Sequence, residues 1–399
     1  MNILFLTMAS INSIELHSLY TDLLRCFRNH GHEVYTITPY EKRLGKETEL
    51  IEENHAHFLH VKTGNVTKSS NLIEKGLAQL SLEKIYIKAI KKHFSNVKFD
   101  LVMYSTPPIT FNKAITYIKN RDGARSYLLL KDIFPQNAVD LNMMTTSGPK
   151  GFLYKYFRRK EKKLYAISDR IGCMSPANVK YVLDHNLEVN PKKVEVCPNA
   201  IEVIDKSVDE ETRIAIRNKY GIPLDKNVFV YGGNLGKPQG IPFLIECLKA
   251  QHNDQAYFLI VGDGTEYVKL EAFVNEYKPS NVKLMKRLPK EDYDTMVAAC
   301  DVGMIFLDHR FTIPNFPSRL LSYMQAKLPV LACTDSNTDI GQVIVDGSFG
   351  WWCESNDSDA FTLMLELIDN EKLNEYGQNA FKYLVLNYST ENAYNTIIM

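Results

Sequence analysis

Short apolar runs alternate with helix-period segments along the whole chain, and the alternation starts afresh just after residue 200. Strands separated by helices pair through crossover connections, so this grammar restricts the fold to α/β units with parallel sheets. In the first half the clearest strands fall at residues 3–6, 33–38, 101–104 and 127–130. A helix is expected over 16–29, with Gly31 as its stop. The second half reads as a strand at 228–231, a glycine turn, a helix at 241–250 and a strand at 257–261. Further strands are expected at 282–285, 302–306, 330–332 and 350–352. At 399 residues the chain exceeds what one core ordinarily carries. Two domains are therefore expected, over residues 1–203 and 204–382, with a helix at 383–399 packing back on the first.

Seven scattered cysteines, none in a C-x-x-C pair, read as reduced core thiols of a cytoplasmic protein, neither a disulfide frame nor a zinc cluster. The opening Met1-Asn2-Ile3-Leu4-Phe5-Leu6 has no basic leader or cleavage site and reads as a strand. No uncharged apolar run reaches the roughly 18–20 residues that span a bilayer. The net charge of zero hides a split: residues 1–200 hold 29 Lys and Arg against 19 Asp and Glu, and the second half holds 18 against 28. The first half is thus suited to an anionic surface or substrate, or the two halves merely complement each other. Two of its segments are basic and amphipathic. One carries Leu77, Leu80, Ile85, Ile87, Ile90 and Phe94 among Lys84, Lys88, Lys91 and Lys92. The other sets Phe152, Leu153, Tyr154, Tyr156 and Phe157 beside Arg158, Arg159, Lys160, Lys162 and Lys163. Either they dock on anionic membrane, or their apolar faces join the core.

Three segments carry the chemistry. Tyr231-Gly232-Gly233-Asn234-Leu235-Gly236-Lys237-Pro238-Gln239-Gly240 lies between a strand and a helix. Glycines there let the backbone approach a phosphate, which free N–H groups and the helix dipole stabilise. Such turns also serve simply to close a tight loop. Phe258-Leu259-Ile260-Val261-Gly262-Asp263-Gly264 repeats the strand-into-glycine pattern. In Pro314-Asn315-Phe316-Pro317-Ser318-Arg319-Leu320-Leu321-Ser322-Tyr323-Met324, Ser318 reads as a helix N-cap. Arg319 would then stand in the first turn, a poor place for a cation unless an anion sits beside it.

These segments, in this order, resemble the donor domain of family 4 glycosyltransferases. The resemblance extends to Gly31-His32-Glu33-Val34, Ser105-Thr106-Pro107-Pro108 and Lys131-Asp132-Ile133-Phe134-Pro135-Gln136 in the first half. It is strongest toward the fucosaminyl- and colanic-acid-type transferases of bacterial surface polysaccharides, such as capsule or O-antigen. The resemblance implies a GT-B fold of two Rossmann-like domains facing a cleft, with a UDP- or GDP-linked sugar held by the second. It implies retaining, metal-independent transfer without a cofactor. The one D-x-D, Asp357-Ser358-Asp359, reads as a helix cap.

The donor-side candidates are Gly232, Gly233, Asn234, Gly236, Lys237, Gly262, Gly264, Arg287, Ser318, Arg319 and Ser322. Asp132 and Arg319 are the catalytic candidates, and Thr106, Asp132 and His17 stand on the acceptor side. Asp132 also reads as a turn carboxylate before Pro135, and His17 as a solvated helix residue. Two departures stand out. The family's two glutamates, eight apart, fall on Pro314 and Ser322, and its Arg and Lys of the glycine turn fall on Asn234 and Gln239. Lys237, Arg319 and Lys286 or Arg287 remain nearby. The expected acceptor is a saccharide, lipid-linked at the inner face of the membrane; nucleic acid is not an expected partner. The alternatives are a silent homologue serving as a partner subunit and a soluble transferase with a small acceptor.

Overall fold

The computed structural model describes residues 1–66, 72–149 and 151–399, the side chains of 72–77 aside. The chain divides into two compact units, residues 1–202 with 390–399, and residues 203–389. The first unit runs β1 (Asn2–Leu6), α1 (Leu19–Asn29), β2 (Glu33–Glu41), β3 (Glu49–Glu53), β4 (Ala56–Thr63), α2 (Leu72–His93), β5 (Leu101–Ser105) and α3 (Asn112–Asp122). It continues with β6 (Arg125–Leu130), α4 (Gln136–Asp140), α5 (Gly151–Ile167), β7 (Arg170–Cys173), α6 (Pro176–His185) and β8 (Val194–Val196). The second unit runs α7 (Glu210–Tyr220), β9 (Asn227–Asn234), α8 (Ile241–Ala250), β10 (Ala256–Asp263), α9 (Tyr267–Tyr277), β11 (Val282–Lys286) and α10 (Lys290–Ala298). Then follow β12 (Val302–Phe306), α11 (Arg319–Gln325), β13 (Val330–Thr334), α12 (Ile340–Asp346), β14 (Gly350–Glu354), α13 (Ser358–Glu366) and α14 (Leu373–Asn387). The last helix, α15 (Thr390–Ile398), belongs to the first unit. It begins at Thr390 and not at 383, because α14 runs to Asn387 and stays with the second unit.

The first sheet has the order β3-β4-β2-β1-β5-β6-β7-β8, parallel except where β3 meets β4. The second is β11-β10-β9-β12-β13-β14, and all its pairs are parallel. Counted from β9, this is the order 3-2-1-4-5-6 of doubly wound, nucleotide-binding sheets, with its switch point between β9 and β12. Helices cover both faces of such sheets, so central strands are apolar on both sides. Ile3, Leu4, Phe5 and Leu6 are accordingly at most 1% exposed.

Local chemistry moves several boundaries. The Ser18 hydroxyl accepts from the Thr21 amide at 3.2 Å, so α1 starts at Leu19 and not at 16. The β3–β4 hairpin is an addition to the sequence reading. It turns on Asn54 and His55, both at positive φ (41° and 62°). An Asn-His pair lacks the glycine that usually announces such a turn. All seven cysteines are free and buried.

The two amphipathic segments separate. On α2, Ile90 and, just past its end, Phe94 lie in the core and Ile85 and Ile87 pack against it, while Lys84, Lys88, Lys91 and Lys92 are exposed. Leu80 is exposed, and Leu77 lies outside the described side chains. The apolar face of α2 is therefore a core face. On α5, Phe157 packs edge-on against Phe134 at 5.1 Å, but Phe152 is 76% and Leu153 49% exposed.

Candidate functional site

The glycine turn grows out of β9. That strand continues through Gly232, Gly233 and Asn234, pairing in register with Val261, Gly262 and Asp263 of β10. The pairing is close. A Cβ on Gly262 would stand 2.1 Å from the Gly233 carbonyl oxygen, and one on Gly264 would stand 2.4 Å from that of Leu235. Gly262 and Gly264 thus give the turn room to pack, a role that needs no ligand. At Gly232 the Tyr293 phenol fills the place of a side chain, 1.9 Å from the ideal Cβ position. Gly233 is exposed and has φ +113°, a backbone conformation open to glycine alone at little cost.

Beyond Gly233 the turn is braced by the residues that depart from the family pattern. The Gln239 side-chain oxygen accepts from the Gly236 amide at 3.1 Å and from Asn234 Nδ2 at 3.2 Å. The Asp308 amide, just past β12, donates to the Pro238 carbonyl at 3.0 Å. The turn therefore bridges the switch point of the sheet. Lys237 is exposed on its outer side.

Arg319 enters this turn from α11. Its guanidinium lies 4.3 Å from the centre of the Tyr231 ring, and Nη2 is 4.0 Å from where a Gly233 Cβ would stand. Burial opposes its charge, while the phenols of Tyr231, Tyr323 and Tyr293 favour it. Nη1 is buried without a hydrogen-bond partner, and no described carboxylate pairs with the group. Arg310 differs: Asp308 holds it at 2.8 and 2.7 Å. Tyr323, one helical turn after Arg319, anchors α11, its hydroxyl lying 3.2 Å from the Val230 carbonyl and 3.1 Å from that of Met304.

Ser318 corrects the sequence reading. It stands at the N-cap position but in a helical conformation, and its side chain makes no capping bond. Ser322 is partly buried on α11, and Pro314 is buried. Arg287 is exposed after the edge strand β11, with β10 between it and the turn. The neighbouring Lys286 lies 3.2 Å over the Tyr267 ring. Asp357 caps α13, accepting from the Ala360 amide at 2.8 Å, so the D-x-D is a helix start.

In the first unit, Thr106 and Asp132 meet at the carboxyl ends of β5 and β6. The Thr106 hydroxyl donates to the Asp132 carbonyl at 3.0 Å and accepts from the Lys131 and Asp132 amides at 3.0 and 3.1 Å. Both Asp132 carboxyl oxygens lie 2.8 Å from Asn137 Nδ2. Burial pushes the Asp132 carboxyl up to about 6, against the pull of Asn137 and the Ile133 amide. His17 precedes α1 and sits in an ion network, 3.2 Å from Asp22 and 2.9 Å from Arg25. That network explains His17 without a ligand. The tyrosines around Arg319 were missed in the sequence, although the four-residue spacing of Arg319 and Tyr323 was a usable signal.

Comparison with known proteins agrees with this geometry. Residues 212–383, within the second unit, match the family model described as Glycosyl transferases group 1. The chain is 24% identical over 329 residues to the "Probable glycosyltransferase WbjE" of Pseudomonas aeruginosa, covering 81% of this chain and 79% of that one. It is 25% identical over 255 residues to the "Putative colanic acid biosynthesis glycosyl transferase WcaI" of Escherichia coli, covering 62% and 60%. The structure of Alr3699/HepE from Anabaena, solved in complex with UDP, superposes with a TM-score of 0.69 at 16% identity, over 100% of this chain and 98% of that one. Residues 212–383 thus match a Glycosyl transferases group 1 domain, within a chain of two parallel-sheet Rossmann-like units of the GT-B fold.

Proposed function

We propose that this glycosyltransferase moves a sugar, with retention of configuration, from a nucleoside-diphosphate donor to a saccharide during surface-polysaccharide assembly. The observation that carries the donor assignment is Arg319, a partly buried guanidinium whose Nη1 is buried without a hydrogen-bond partner and which no described carboxylate pairs, beside the Gly232–Gly233 backbone at the switch point. A buried cation without a counter-ion is costly, and a diphosphate would offset that cost. HepE was solved with UDP, and WcaI is named for colanic acid biosynthesis, which supports the choice of ligand and pathway class. The leaving diphosphate is stabilised by Arg319 and the turn, and Asp132 is the acceptor-side base.

Slow release of nucleoside diphosphate from one member of a panel of UDP- and GDP-sugars is the expected activity, undiminished by excess EDTA. Loss of turnover on chelation, restored by Mn²⁺ or Mg²⁺, would overturn the metal-independent reading. Absence of both release and any nucleotide-induced thermal shift at millimolar ligand would favour the silent partner subunit.

The proposed acceptor is polyprenyl-linked and met at the inner face of the membrane. No helix among the described residues is long and apolar enough to cross a bilayer. Support comes from α5, where exposed Phe152 and Leu153 precede exposed Lys155, Arg159 and Lys163. Each basic residue near an anionic surface contributes about 1 kcal/mol. The protein is therefore expected to pellet with acidic vesicles at low salt. Phe152→Ser together with Lys155→Glu and Arg159→Glu should release it to the supernatant. Wild-type protein that fails to pellet would point to a small soluble acceptor.

A further inference from the structure

Cys26, His30 and Glu391 lie outside the site described above, at the contact of α1 with α15 in the first unit. Each offers one ligand atom, and the three atoms lie within 4.8 Å of one another. Cys26 and His30 are four residues apart on α1, which puts both side chains on one face. Glu391 arrives from the first turn of α15, 365 residues later than Cys26. Cys26 Sγ is 3.4 Å from Glu391 Oε1, and His30 Nε2 is 3.4 Å from Oε2. Tetrahedral zinc, with bonds of about 2.0–2.3 Å, places its donors about 3.5 Å apart.

The imidazole is already set as a ligand. His30 Nδ1 is 2.9 Å from the Cys26 carbonyl, so Nδ1–H donates there and leaves Nε2 with its lone pair toward Glu391. The ring is held by stacking on Tyr394 of α15 at 3.9 Å. His30 also terminates α1, whose carbonyl end favours a cation. The thiol is buried, while His30 and Glu391 are open to solvent, so a metal would keep a water as its fourth ligand. The other candidate cluster, His17, Asp22 and Glu202, has no such vacancy, because Arg25 Nη2 already stands 2.7 Å from both carboxylates.

We propose that Cys26, His30 and Glu391 form a three-ligand site for a divalent ion of the zinc class, which links helix α15 to α1. The thiolate, imidazole and carboxylate set selects zinc over magnesium or calcium. On binding, the Cys26 thiol gives up its proton to solvent and a sulfur–metal bond replaces it. No redox change is involved.

Cobalt titration of the metal-free, full-length protein tests this directly. The expected spectrum has a near-ultraviolet thiolate-to-cobalt band and visible bands of four-coordinate intensity, saturating at one equivalent. Zinc should displace the cobalt and raise Tm. Cys26→Ser should abolish the thiolate band, and Glu391→Gln, at an exposed position, should weaken binding at least tenfold while leaving the fold intact. Absence of the band in the wild type, or zinc affinity unchanged in Glu391→Gln, overturns the site.

Discussion

Arg319→Ala is expected to weaken nucleotide-sugar binding about tenfold to a hundredfold, the 1.5–3 kcal/mol typical of a charge-assisted bond. Arg310→Ala should change it by no more than about twofold, as an exposed, internally paired charge does. The two residues are close in sequence and differ in what neutralises them. Asp308 grips Arg310 with two hydrogen bonds, so that charge is already satisfied. Arg319 has only the faces and hydroxyls of tyrosines, with Nη1 left over. Because no carboxylate among the described residues pairs with Arg319, alanine there leaves no described charge unpaired. The loss to folding is confined to the stacking on Tyr231, about 0.5–2 kcal/mol. Calorimetry with the preferred donor separates the roles. Equal affinity in the two variants removes Arg319 from the donor site.

The fold was legible because its determinants are local and periodic. The strands at 228–231 and 257–261 and the helix at 241–250 are apolar runs punctuated by glycine, and β9, α8 and β10 stand there. The β3–β4 hairpin was not legible, since Glu49–Glu53 and Ala56–Thr63 lack a strict polar–apolar alternation and have no glycine turn between them. Placement of Arg319 beside Gly233 was readable from the order of motifs. The cap that would explain it is absent: Ser318 makes no capping bond, and the guanidinium rests on Tyr231 with Tyr323 favouring its charge. Gly262 and Gly264 stand among the donor-side candidates of the sequence. The geometry gives Gly262 and Gly264 a packing role, because only register across β9 and β10 reveals whose backbone lies against them. Asn234 and Gln239 read as losses in sequence, whereas in space they brace the turn together.

Asp132→Asn is expected to lower turnover about a hundredfold or more, the usual contribution of a positioned base, while making the protein more stable at neutral pH. The two effects have one origin. Burial holds the Asp132 carboxyl near 6, above its ordinary 3.8. Between those values the native state keeps a proton that the unfolded chain has released, so stability falls as pH rises through the window. Below about pH 3 the carboxyl is neutral in both states and this penalty vanishes. Above about pH 6 the penalty is complete, on the order of 1–2 kcal/mol once partial solvent access and the Asn137 donor are allowed for. An asparagine keeps an acceptor for Asn137 and removes the charge. Its Tm should therefore exceed the wild-type value by roughly 2–8 °C at pH 7.5 and converge with it toward pH 3. A carboxylate that merely closes the turn before Pro135 predicts the stability gain without the loss of turnover. A variant with wild-type turnover and a raised Tm would thus assign Asp132 to the turn and send the search for the acceptor-side base elsewhere in the first unit.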